Sequence, residues 1–348
     1  MDERNNFMVD LFGVGDINIE TKSPLQTDFK LFCGDALEQL KRLDDNSVNT
    51  CVTSPPYYQL RDYGVDGQIG LEETPKEYIN KLVNIFREVR RVLRDDGTLW
   101  INIADSYSGS NKGRKADGSI CDMKNSLISS TNQGQIGGTI FGGNIPEGTK
   151  PKDMIGIPWM LAFALRDDGW YLRQDIIWHK KSVMPESVTD RCTRAHEYIF
   201  LLSKKKDYYF DYRAIQEQSA CVYDRRLGKG RLEYDGKRAK SKDGHTQNSM
   251  CGITEKRNKR DVWVCNTNHA VKGAHYATYP KELIAPCILA GCPEGGVVLD
   301  PFNGSGTTGI VAAEQRKNYI GIELNPEYIE ITKNRVTIEC DNAFISIN

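Results

Sequence analysis

The amino-acid sequence predicts an α/β fold, a doubly wound and mostly parallel sheet with helices on both faces. Three observations lead to this prediction. Short apolar runs of strand length alternate with segments of helical period along most of the 348 residues. A strand, a glycine-rich loop and a helix start follow one another at residues 297–313. A stiff Pro-Pro loop follows the apolar run at residues 48–52.

The first three predicted strands lie in the first third of the chain, at residues 29–33, 48–52 and 98–103. A short amphipathic helix is predicted over residues 36–43. A longer helix is predicted to begin after Thr74, because a threonine hydroxyl can cap a helix that has proline at its first position. Asp96-Gly97 is predicted to end it. Residues 1–27 lack a clear period and are interpreted as an N-terminal extension.

The rest of the chain begins with a long segment, residues 106–150, that is rich in Gly, Ser, Asn and Lys. It is interpreted as a mobile or ligand-ordered loop. The remaining strands are predicted at residues 171–178, 196–202, 297–299 and 319–322, the second of them antiparallel to its neighbour. The remaining helices are predicted at residues 158–167, 280–289, 310–313 and, after an N-cap at Asn325, 327–336.

The composition argues against several classes of protein. No run approaches 18 apolar residues and residues 1–22 are polar, so neither a membrane span nor a signal peptide is predicted. The ten cysteines form no C-x-x-C pair and no cluster with zinc spacing, which predicts reduced thiols, a cytoplasmic protein and no metal site. Cys287 lies in an apolar, helix-like run and is interpreted as a core residue rather than a nucleophile.

The net charge of −1 hides an uneven distribution. Residues 204–260 contain 16 Lys and Arg against 8 Asp and Glu, a net charge of +8, so the remainder carries −9. A local excess of this size is typical of a surface that contacts phosphates. The alternative interpretation is a solvated basic loop.

The first motif is Thr53-Ser54-Pro55-Pro56-Tyr57, at the end of a predicted strand. Two prolines fix φ and remove two N–H donors, so the loop is stiff and its carbonyl groups point in set directions. Ser54 and the neighbouring carbonyl can accept hydrogen bonds from an amine, and Tyr57 offers a flat face on which a base can stack. The alternative is an ordinary Pro-Pro turn with a packed tyrosine.

The second motif starts at Asp300, where a predicted strand ends. Gly304, Gly306 and Gly309 have the G-x-G-x-x-G spacing, which lets the backbone approach a ligand and then enter a helix. Glu323 ends the following strand, where a carboxylate can accept hydrogen bonds from ribose hydroxyls. This motif fits a dinucleotide dehydrogenase equally well, so it predicts nucleoside binding without deciding the chemistry. A glycine-rich structural turn is the other alternative.

Taken in this order, the two motifs resemble those of the amino-methylating DNA methyltransferases that use S-adenosylmethionine. The order is that of the β group, in which the catalytic tetrapeptide comes first and the cofactor loop last. The resemblance covers about residues 28–203 and 271–338. It implies a class I, Rossmann-like methyltransferase fold with an inserted target-recognition region. The implied parts are an extension (1–27), a catalytic part (28–203), the recognition region (204–270) and a cofactor-binding part (271–348).

The resemblance also implies site residues. The catalytic residues are Ser54, Pro55, Pro56 and Tyr57. The cofactor-binding residues are Asp35, Thr53, His275, Tyr276, Thr278, Pro280, Asp300, Pro301, Phe302, Asn303, Gly304, Ser305, Gly306, Thr307, Glu323 and Leu324. Lys180 and Arg191 belong to the segment that resembles the lining of the target-base pocket, and both are predicted to bind DNA. Lys256, Arg257, Lys259 and Arg260 lie in the basic segment, where the family has its recognition region, and are interpreted as DNA-binding.

Ser54 stands where adenine-specific members usually carry Asp or Asn, which resembles the cytosine-N4 subgroup. The resemblance therefore implies methylation of cytosine N4, with adenine N6 as the alternative. The base must be flipped out of double-stranded DNA to reach such a pocket. A cognate restriction endonuclease and either a monomer or a homodimer are compatible with the family, and the sequence decides none of these.

Three further alternatives remain at this point. The first is a methylase of RNA or free nucleotides, and the second is a nicotinamide-dependent oxidoreductase that uses the same glycine loop. The third is a catalytically silent DNA-binding protein. The Ser-Pro-Pro-Tyr motif argues against the second, which has no use for it, and against the third, because the whole catalytic set is present.

Overall fold

The computed structural model describes residues 27–108, 145–183, 185–186, 188–218, 256–266, 278–341 and 343–347. Most of the predicted extension and residues 109–144 of the predicted loop lie outside these ranges, as do His275 and Tyr276. None of the helices within the described ranges is long and apolar enough to cross a membrane.

The strands that form the main sheet are β1 (Thr27–Cys33), β2 (Val48–Thr53), β3 (Leu93–Ile103), β4 (Tyr171–Lys180), β5 (His196–Ser203), β8 (Val262–Cys265), β9 (Val297–Asp300), β10 (Asn318–Glu323) and β11 (Ala343–Ile347). Two short strands, β6 (Glu217–Gln218) and β7 (Lys256–Arg257), pair with each other and with no other strand that the structure describes. The strand order across the main sheet is β11-β1-β10-β9-β2-β3-β5-β4-β8.

Among the described strands of the main sheet, β5 alone runs antiparallel to its neighbours, β3 and β4. The other neighbouring pairs are parallel. This arrangement confirms the predicted mostly parallel sheet and the predicted antiparallel strand. Because β5 is reversed, its first residues lie at the edge where the other strands end. Side chains from the start of β5 can therefore meet those from the ends of β2, β3 and β4.

Within the described ranges, six helices cover the sheet: α1 (Ala36–Leu40), α2 (Pro75–Val92), α3 (Ile157–Asp167), α4 (Lys281–Gly291), α5 (Thr307–Glu314) and α6 (Pro326–Glu339). Buried side chains of α1, α2 and α3 belong to one apolar cluster, and those of α4, α5 and α6 belong to the other. A doubly wound sheet has helices on both faces, so it requires one apolar cluster between the sheet and the helices on each face.

Helix α2 begins where the sequence predicts and ends earlier. The Thr74 hydroxyl accepts from the Glu77 N–H at 3.2 Å, and the Glu77 carboxylate accepts from the Thr74 N–H at 3.3 Å, which completes a capping box. The prediction that Asp96-Gly97 ends the helix was wrong. The helix stops at Val92, and Leu93 starts β3 by pairing with Val48 before the register shifts. The pairing with β2 outweighs the helical period that continues to Leu93.

Strands β8 and β11 were not predicted from the sequence. Strand β8 lies within the range assigned to target recognition, yet it pairs in parallel with β4 and buries Trp263. Strand β11 pairs with β1 at the other edge of the sheet. Both are short edge strands whose partners are distant in sequence, so local periodicity does not reveal them. The boundaries 204–270 of the recognition region stay a prediction.

Cys287 is fully buried on α4 in the apolar cluster of that face, which confirms its interpretation as a core residue. Burial raises the pKa of its thiol well above the usual range, because the charged thiolate is disfavoured in apolar surroundings. A thiol of this kind is a poor nucleophile at neutral pH.

The cap of α2 provides a test of the fold. Thr74→Ala should lower the free energy of unfolding by about 1 kcal/mol, because an N–H at the start of the helix loses its acceptor. Thr74→Ser keeps the hydroxyl and should retain most of the stability. Thermal or urea unfolding of both variants measures the difference, and equal losses in the two would contradict the capping role.

Candidate functional site

A cavity lies at the carboxyl ends of β1, β2, β9 and β10, the edge at which parallel α/β sheets bind their ligands. Many of the predicted site residues line it. These are Asp35, Ser54, Pro55, Pro56, Tyr57, Thr278, Pro301, Phe302, Asn303, Gly304, Ser305, Thr307, Glu323 and Leu324. Two motifs nearly 250 positions apart in the chain thus share one cavity.

Four residues predicted to bind the cofactor are not among the residues that line the cavity: Thr53, Pro280, Asp300 and Gly306. Thr53 and Asp300 are buried beneath it and bonded to each other. Pro280 is the N-cap residue of α4, and Gly306 is that of α5. A direct contact between any of the four and a ligand stays a prediction, whereas their structural roles are visible.

Asp300 ends β9 and is 1% exposed. Its carboxylate accepts hydrogen bonds from the Thr53 hydroxyl at 2.6 Å, the Phe302 N–H at 3.0 Å, the Thr308 hydroxyl at 2.6 Å and the Tyr279 hydroxyl at 3.2 Å. Burial raises the pKa of this carboxyl, and the four donors act in the opposite direction by stabilising the charged form. Asp300 therefore ties the residue before Ser54 to the start of the glycine loop.

The absence of a side chain has a different physical reason at each of the three glycines of the second motif. Gly304 has φ +52° and lines the cavity, and an added Cβ there would meet no atom closer than 3.9 Å. A Cβ at Gly306 would lie 2.5 Å from Cγ2 of Thr332, and one at Gly309 would lie 2.4 Å from the Phe29 ring. Only Gly304 thus fits the predicted approach of the backbone to a ligand. The other two allow α5 to pack against α6 and the sheet.

Helix α6 supports the glycine loop with polar side chains that sequence reasoning missed. Arg335 donates to the carbonyl of Ser305 at 2.7 Å, to its hydroxyl at 3.1 Å and to the Thr307 hydroxyl at 3.1 Å. The Thr332 hydroxyl lies 2.9 Å from Nδ2 of Asn303. Arg335 lies 30 positions beyond Ser305, and nothing in its local sequence distinguishes it from a surface arginine.

Glu323, at the end of β10, is held by backbone donors. One carboxylate oxygen accepts from the Gly304 N–H at 2.8 Å, and the other accepts from the Asn325 N–H at 2.9 Å. Burial raises the pKa of this carboxyl above its usual value. A carboxylate oxygen has more than one lone pair, so both oxygens keep the capacity to accept from a ligand in the cavity.

The Ser-Pro-Pro-Tyr loop carries a network of hydrogen bonds. The Tyr57 hydroxyl donates to Oε2 of Glu197 at 2.7 Å, and Oδ1 of Asn102 lies 3.1 Å away. The Ser54 hydroxyl lies 3.5 Å from the Tyr57 hydroxyl. Burial and the nearby Glu197 carboxylate raise the pKa of Tyr57 well above its ordinary value. Tyr57 thus lines the cavity while Glu197 and Asn102 hold its hydroxyl in place.

A segment that follows this loop also lines the cavity. It contributes the side chains of Leu60, Arg61, Tyr63 and Gln68. Its ends are joined by a bond of 2.7 Å from the Gln59 N–H to the Gly70 carbonyl. Arg61 is the one cationic side chain among the described residues that line the cavity.

Two residues predicted to contact DNA, Lys180 and Arg191, have carboxylate partners. Lys180 ends β4, forms an ion pair with Glu197, and its ammonium lies 4.6 Å from the centre of the Trp178 ring. Arg191 forms an ion pair with Glu186 and its guanidinium lies over the ring of Tyr107 at 4.1 Å. Lys180 is therefore part of the network around Tyr57.

The other four predicted DNA contacts lie on β7 and between β7 and β8. Arg257 and Arg260 both form ion pairs with Glu217, at 2.9 and 2.6 Å. The Lys259 ammonium lies 5.0 Å from the centre of the Trp263 ring, and Lys256 is exposed. A contact between these side chains and DNA stays a prediction.

The profile of one protein family matches residues 48–334 of this chain, and that family is described as DNA methylases. The Type II methyltransferase M.Cfr9I of Citrobacter freundii is 47% identical over 313 residues, which cover 90% of this chain and 89% of the relative. The Type II methyltransferase M.SmaI of Serratia marcescens is 46% identical over 308 residues, which cover 88% of this chain and 90% of the relative.

Two solved structures have a similar fold. The PvuII DNA methyltransferase, which is cytosine-N4-specific, matches with a TM-score of 0.57 and 17% identity over 90% of this chain and 89% of that chain. A protein from Thermus thermophilus, solved in complex with S-adenosyl-L-methionine, matches with a TM-score of 0.55 and 23% identity over 92% of this chain and 99% of that chain. At these identities the likeness concerns the fold alone.

The packing of the glycine loop predicts that Gly306→Ala destabilises the protein more than Gly304→Ala does. Both positions have positive φ, +79° and +52°, which costs a non-glycine residue about 1–2 kcal/mol. The Cβ at position 306 would in addition overlap Thr332, and such overpacking costs about 1–3 kcal/mol more. Thermal unfolding of the two variants gives the comparison. Equal melting temperatures would contradict this account of the loop.

Proposed function

The chain belongs to the DNA methylase family, and we propose that it transfers a methyl group from S-adenosylmethionine to N4 of a flipped cytosine in double-stranded DNA. Membership rests on the family profile and on relatives with 46–47% identity over most of both chains. The chain is accordingly a site-specific amino DNA methyltransferase, and the choice of cytosine is the proposed part. The observation that supports cytosine is that Ser54, with its hydroxyl group, directly precedes Pro-Pro-Tyr in the sequence.

The side chains of the cavity fit S-adenosylmethionine. Glu323 and Asp35 are acceptors suited to ribose hydroxyls and to the amino groups of the donor. The loop at residues 301–307 would hold the methionine part beside Ser54 and Tyr57, since Ser54, Tyr57 and every residue of this loop except Gly306 line the same cavity. When bound, the donor supplies a methyl group that is already electrophilic because it is attached to a positively charged sulfur.

The role that we assign to the Ser-Pro-Pro-Tyr loop is placement and polarisation of the amine. The lone pair of an exocyclic amine is delocalised into the ring, which makes the amine a poor nucleophile. Hydrogen bonds from the amine to the Ser54 hydroxyl and the Pro55 carbonyl would favour the tetrahedral geometry that frees this lone pair. The Tyr57 ring would stack on the flipped base, and its anchored hydroxyl keeps the ring in place.

Cytosine is preferred over adenine because of the acceptor at position 54. Where adenine-specific members of the family usually have a carboxylate or an amide, this chain has a hydroxyl, which resembles the cytosine-N4 subgroup. The solved structure described as cytosine-N4-specific has a similar fold. Its identity of 17% is too low to carry the specificity over, so Ser54 remains the supporting observation.

DNA binding is assigned to the basic segment, residues 204–260, with its net charge of +8. Arg257 and Arg260 share one carboxylate partner, Glu217, so the cluster of these three residues keeps a net positive charge. Lys256 and Lys259 add to it. Such a surface favours phosphate contacts, which release counterions and make binding depend on salt.

The product can be identified directly. DNA that has been treated with the enzyme and labelled donor, then digested to nucleosides, should contain N4-methylcytosine by mass spectrometry. Detection of N6-methyladenine without N4-methylcytosine would refute the choice of base and leave the methyltransferase activity in place.

Ser54→Ala should keep the affinity for the donor in calorimetry and lower the methylation rate about 10- to 100-fold, since a hydrogen bond to a charged group is worth about 1.5–3 kcal/mol.

A matched control for Ser54→Ala is Ser47→Ala, because Ser47 precedes β2 at the opposite edge of the sheet and bonds only to the carbonyl of Asp44 among the described residues. This variant should methylate at the normal rate. Equal rates in the Ser54 and Ser47 variants would remove Ser54 from the reaction.

The role of the basic segment is tested with Lys256→Glu/Lys259→Glu, which leaves the ion pairs of Glu217 intact. We expect weaker DNA binding and a less steep dependence on salt, because each lost phosphate contact lowers the slope of log K against log salt by about 0.9. Donor affinity should not change. Lys333→Glu on α6 is the control for a surface charge reversal, and an unchanged slope in the double variant would make this segment a solvated loop.

A further inference from the structure

A chain of hydroxyl groups leads from the proposed amine site to a buried carboxylate. The Ser54 hydroxyl lies 3.5 Å from the Tyr57 hydroxyl, which lies 2.7 Å from Oε2 of Glu197. Glu197 is 8% exposed and stands at the start of β5, the reversed strand of the sheet. The path connects β2 with β5 across β3, and the side chain of Asn102, on β3, lies beside it.

Each hydrogen on this path can be assigned. A phenol has one hydrogen, and the bond of 2.7 Å to Glu197 is shorter than the 3.1 Å contact with Oδ1 of Asn102. Tyr57 therefore donates to Glu197 and can accept from Ser54. Asn102 donates its amide to the same carboxylate oxygen at 3.3 Å. Lys180 forms an ion pair with the other oxygen, which compensates the burial of the charge.

Methylation of an amine releases a proton, which a base must accept. The amine has two N–H groups before the reaction and one afterwards, and an aromatic amine that carries a fourth substituent is strongly acidic. The carbonyl of Pro55 can accept a hydrogen bond but has no proton to pass on. A hydroxyl can accept one proton while it releases its own, so the path through Ser54 has the required chemistry once the 3.5 Å contact with Tyr57 shortens to hydrogen-bond length in the complex with the base.

We propose that Glu197 is the terminal acceptor of the proton released from the target amine, reached through the hydroxyls of Ser54 and Tyr57. This inference rests on the proposed function, because it takes the amine to lie beside Ser54. The bond between nitrogen and the methyl carbon forms from the nitrogen lone pair, and the bond between carbon and sulfur breaks with its electrons left on sulfur. The amine N–H then breaks, Ser54 takes that proton and passes its own to Tyr57, and Tyr57 passes its own to Glu197.

A relay and a mere anchor make different predictions. If Glu197 only holds the ring of Tyr57, its loss should weaken capture of the base and lower the rate equally at all pH values. If Glu197 accepts the proton, its loss should leave capture intact and make the reaction depend on bases from solution. The high pKa of Tyr57 is compatible with the relay, since a phenol that accepts and donates together never has to ionise.

The central variant is Glu197→Gln, which keeps an oxygen for the Tyr57 hydroxyl but cannot take a proton. We expect its single-turnover methylation rate to fall about 100-fold or more, the range in which general bases contribute. The remaining rate should rise steadily with pH and with the concentration of buffer base. Fluorescence of 2-aminopurine at the target position, which reports base capture, and donor affinity in calorimetry should stay as in the unaltered enzyme.

Two further variants keep the test decisive. Glu197→Ala leaves room for a small carboxylate, so formate should restore part of its rate. Tyr57→Phe breaks the path while it leaves the pair of Glu197 and Lys180 intact, and it should show the same rise of rate with pH without rescue by formate. If the Glu197 variants do not fold, the pH dependence of Tyr57→Phe is sufficient to test the relay. Glu294→Gln, exposed on the opposite edge of the sheet, is the matched control.

Several outcomes would overturn the relay. A normal rate in Glu197→Gln would do so, and so would a rate loss that is independent of pH, resists formate and comes with loss of the 2-aminopurine signal. If Ser54→Ala is impaired while Glu197→Gln is normal, the relay fails and the proposed function stands. If the unaltered enzyme produces no methylated amine on any base, the proposed function itself fails.

Discussion

The buried carboxylate of Asp300 is the interaction on which the rest of the site depends. It accepts hydrogen bonds from Thr53 on β2, from the backbone of the glycine loop, and from Thr308 and Tyr279. A charged group with so little exposure is tolerated only when its acceptors are satisfied, so the four donors are held in one arrangement. Because Thr53 precedes Ser54, the position of the Ser-Pro-Pro-Tyr loop is fixed relative to the glycine loop.

The sheet makes this arrangement possible. Strands β2 and β9 are neighbours and parallel, so both end at the same edge, with the Pro-Pro loop following one and the glycine loop following the other. Helix α6 then secures the second loop through Arg335 and Thr332. In the function that we propose, a methyl donor and a base share this cavity and must be aligned within about 0.5 Å, which requires rigid supports of this kind.

A second buried carboxylate organises the side of the cavity where we place the base. Glu197 links Tyr57, Asn102 and Lys180, which come from three different segments of the chain. Strand β5 can contribute it because β5 alone among the described strands of the main sheet is reversed, so that its first residues reach the ligand edge. Lys180 is therefore better understood as the partner of this carboxylate than as a contact to phosphate, and the proposed relay gives the network a chemical purpose.

The fold class, most elements and the two loops could be predicted from the amino-acid sequence, because each depends on local chemistry. Thr74 caps a helix, Asn325 caps another, two prolines stiffen the loop after β2, and the glycine spacing marks the loop before α5. The partners of these residues, in contrast, are known only from the three-dimensional structure. The bond between Thr53 and Asp300 spans 247 positions and that between Tyr57 and Glu197 spans 140. Three further features also depend on contacts between distant segments: strand β8, the hydrogen bonds of Arg335 to the glycine loop, and the packing of Gly306 against Thr332. Local periodicity does not reveal such contacts.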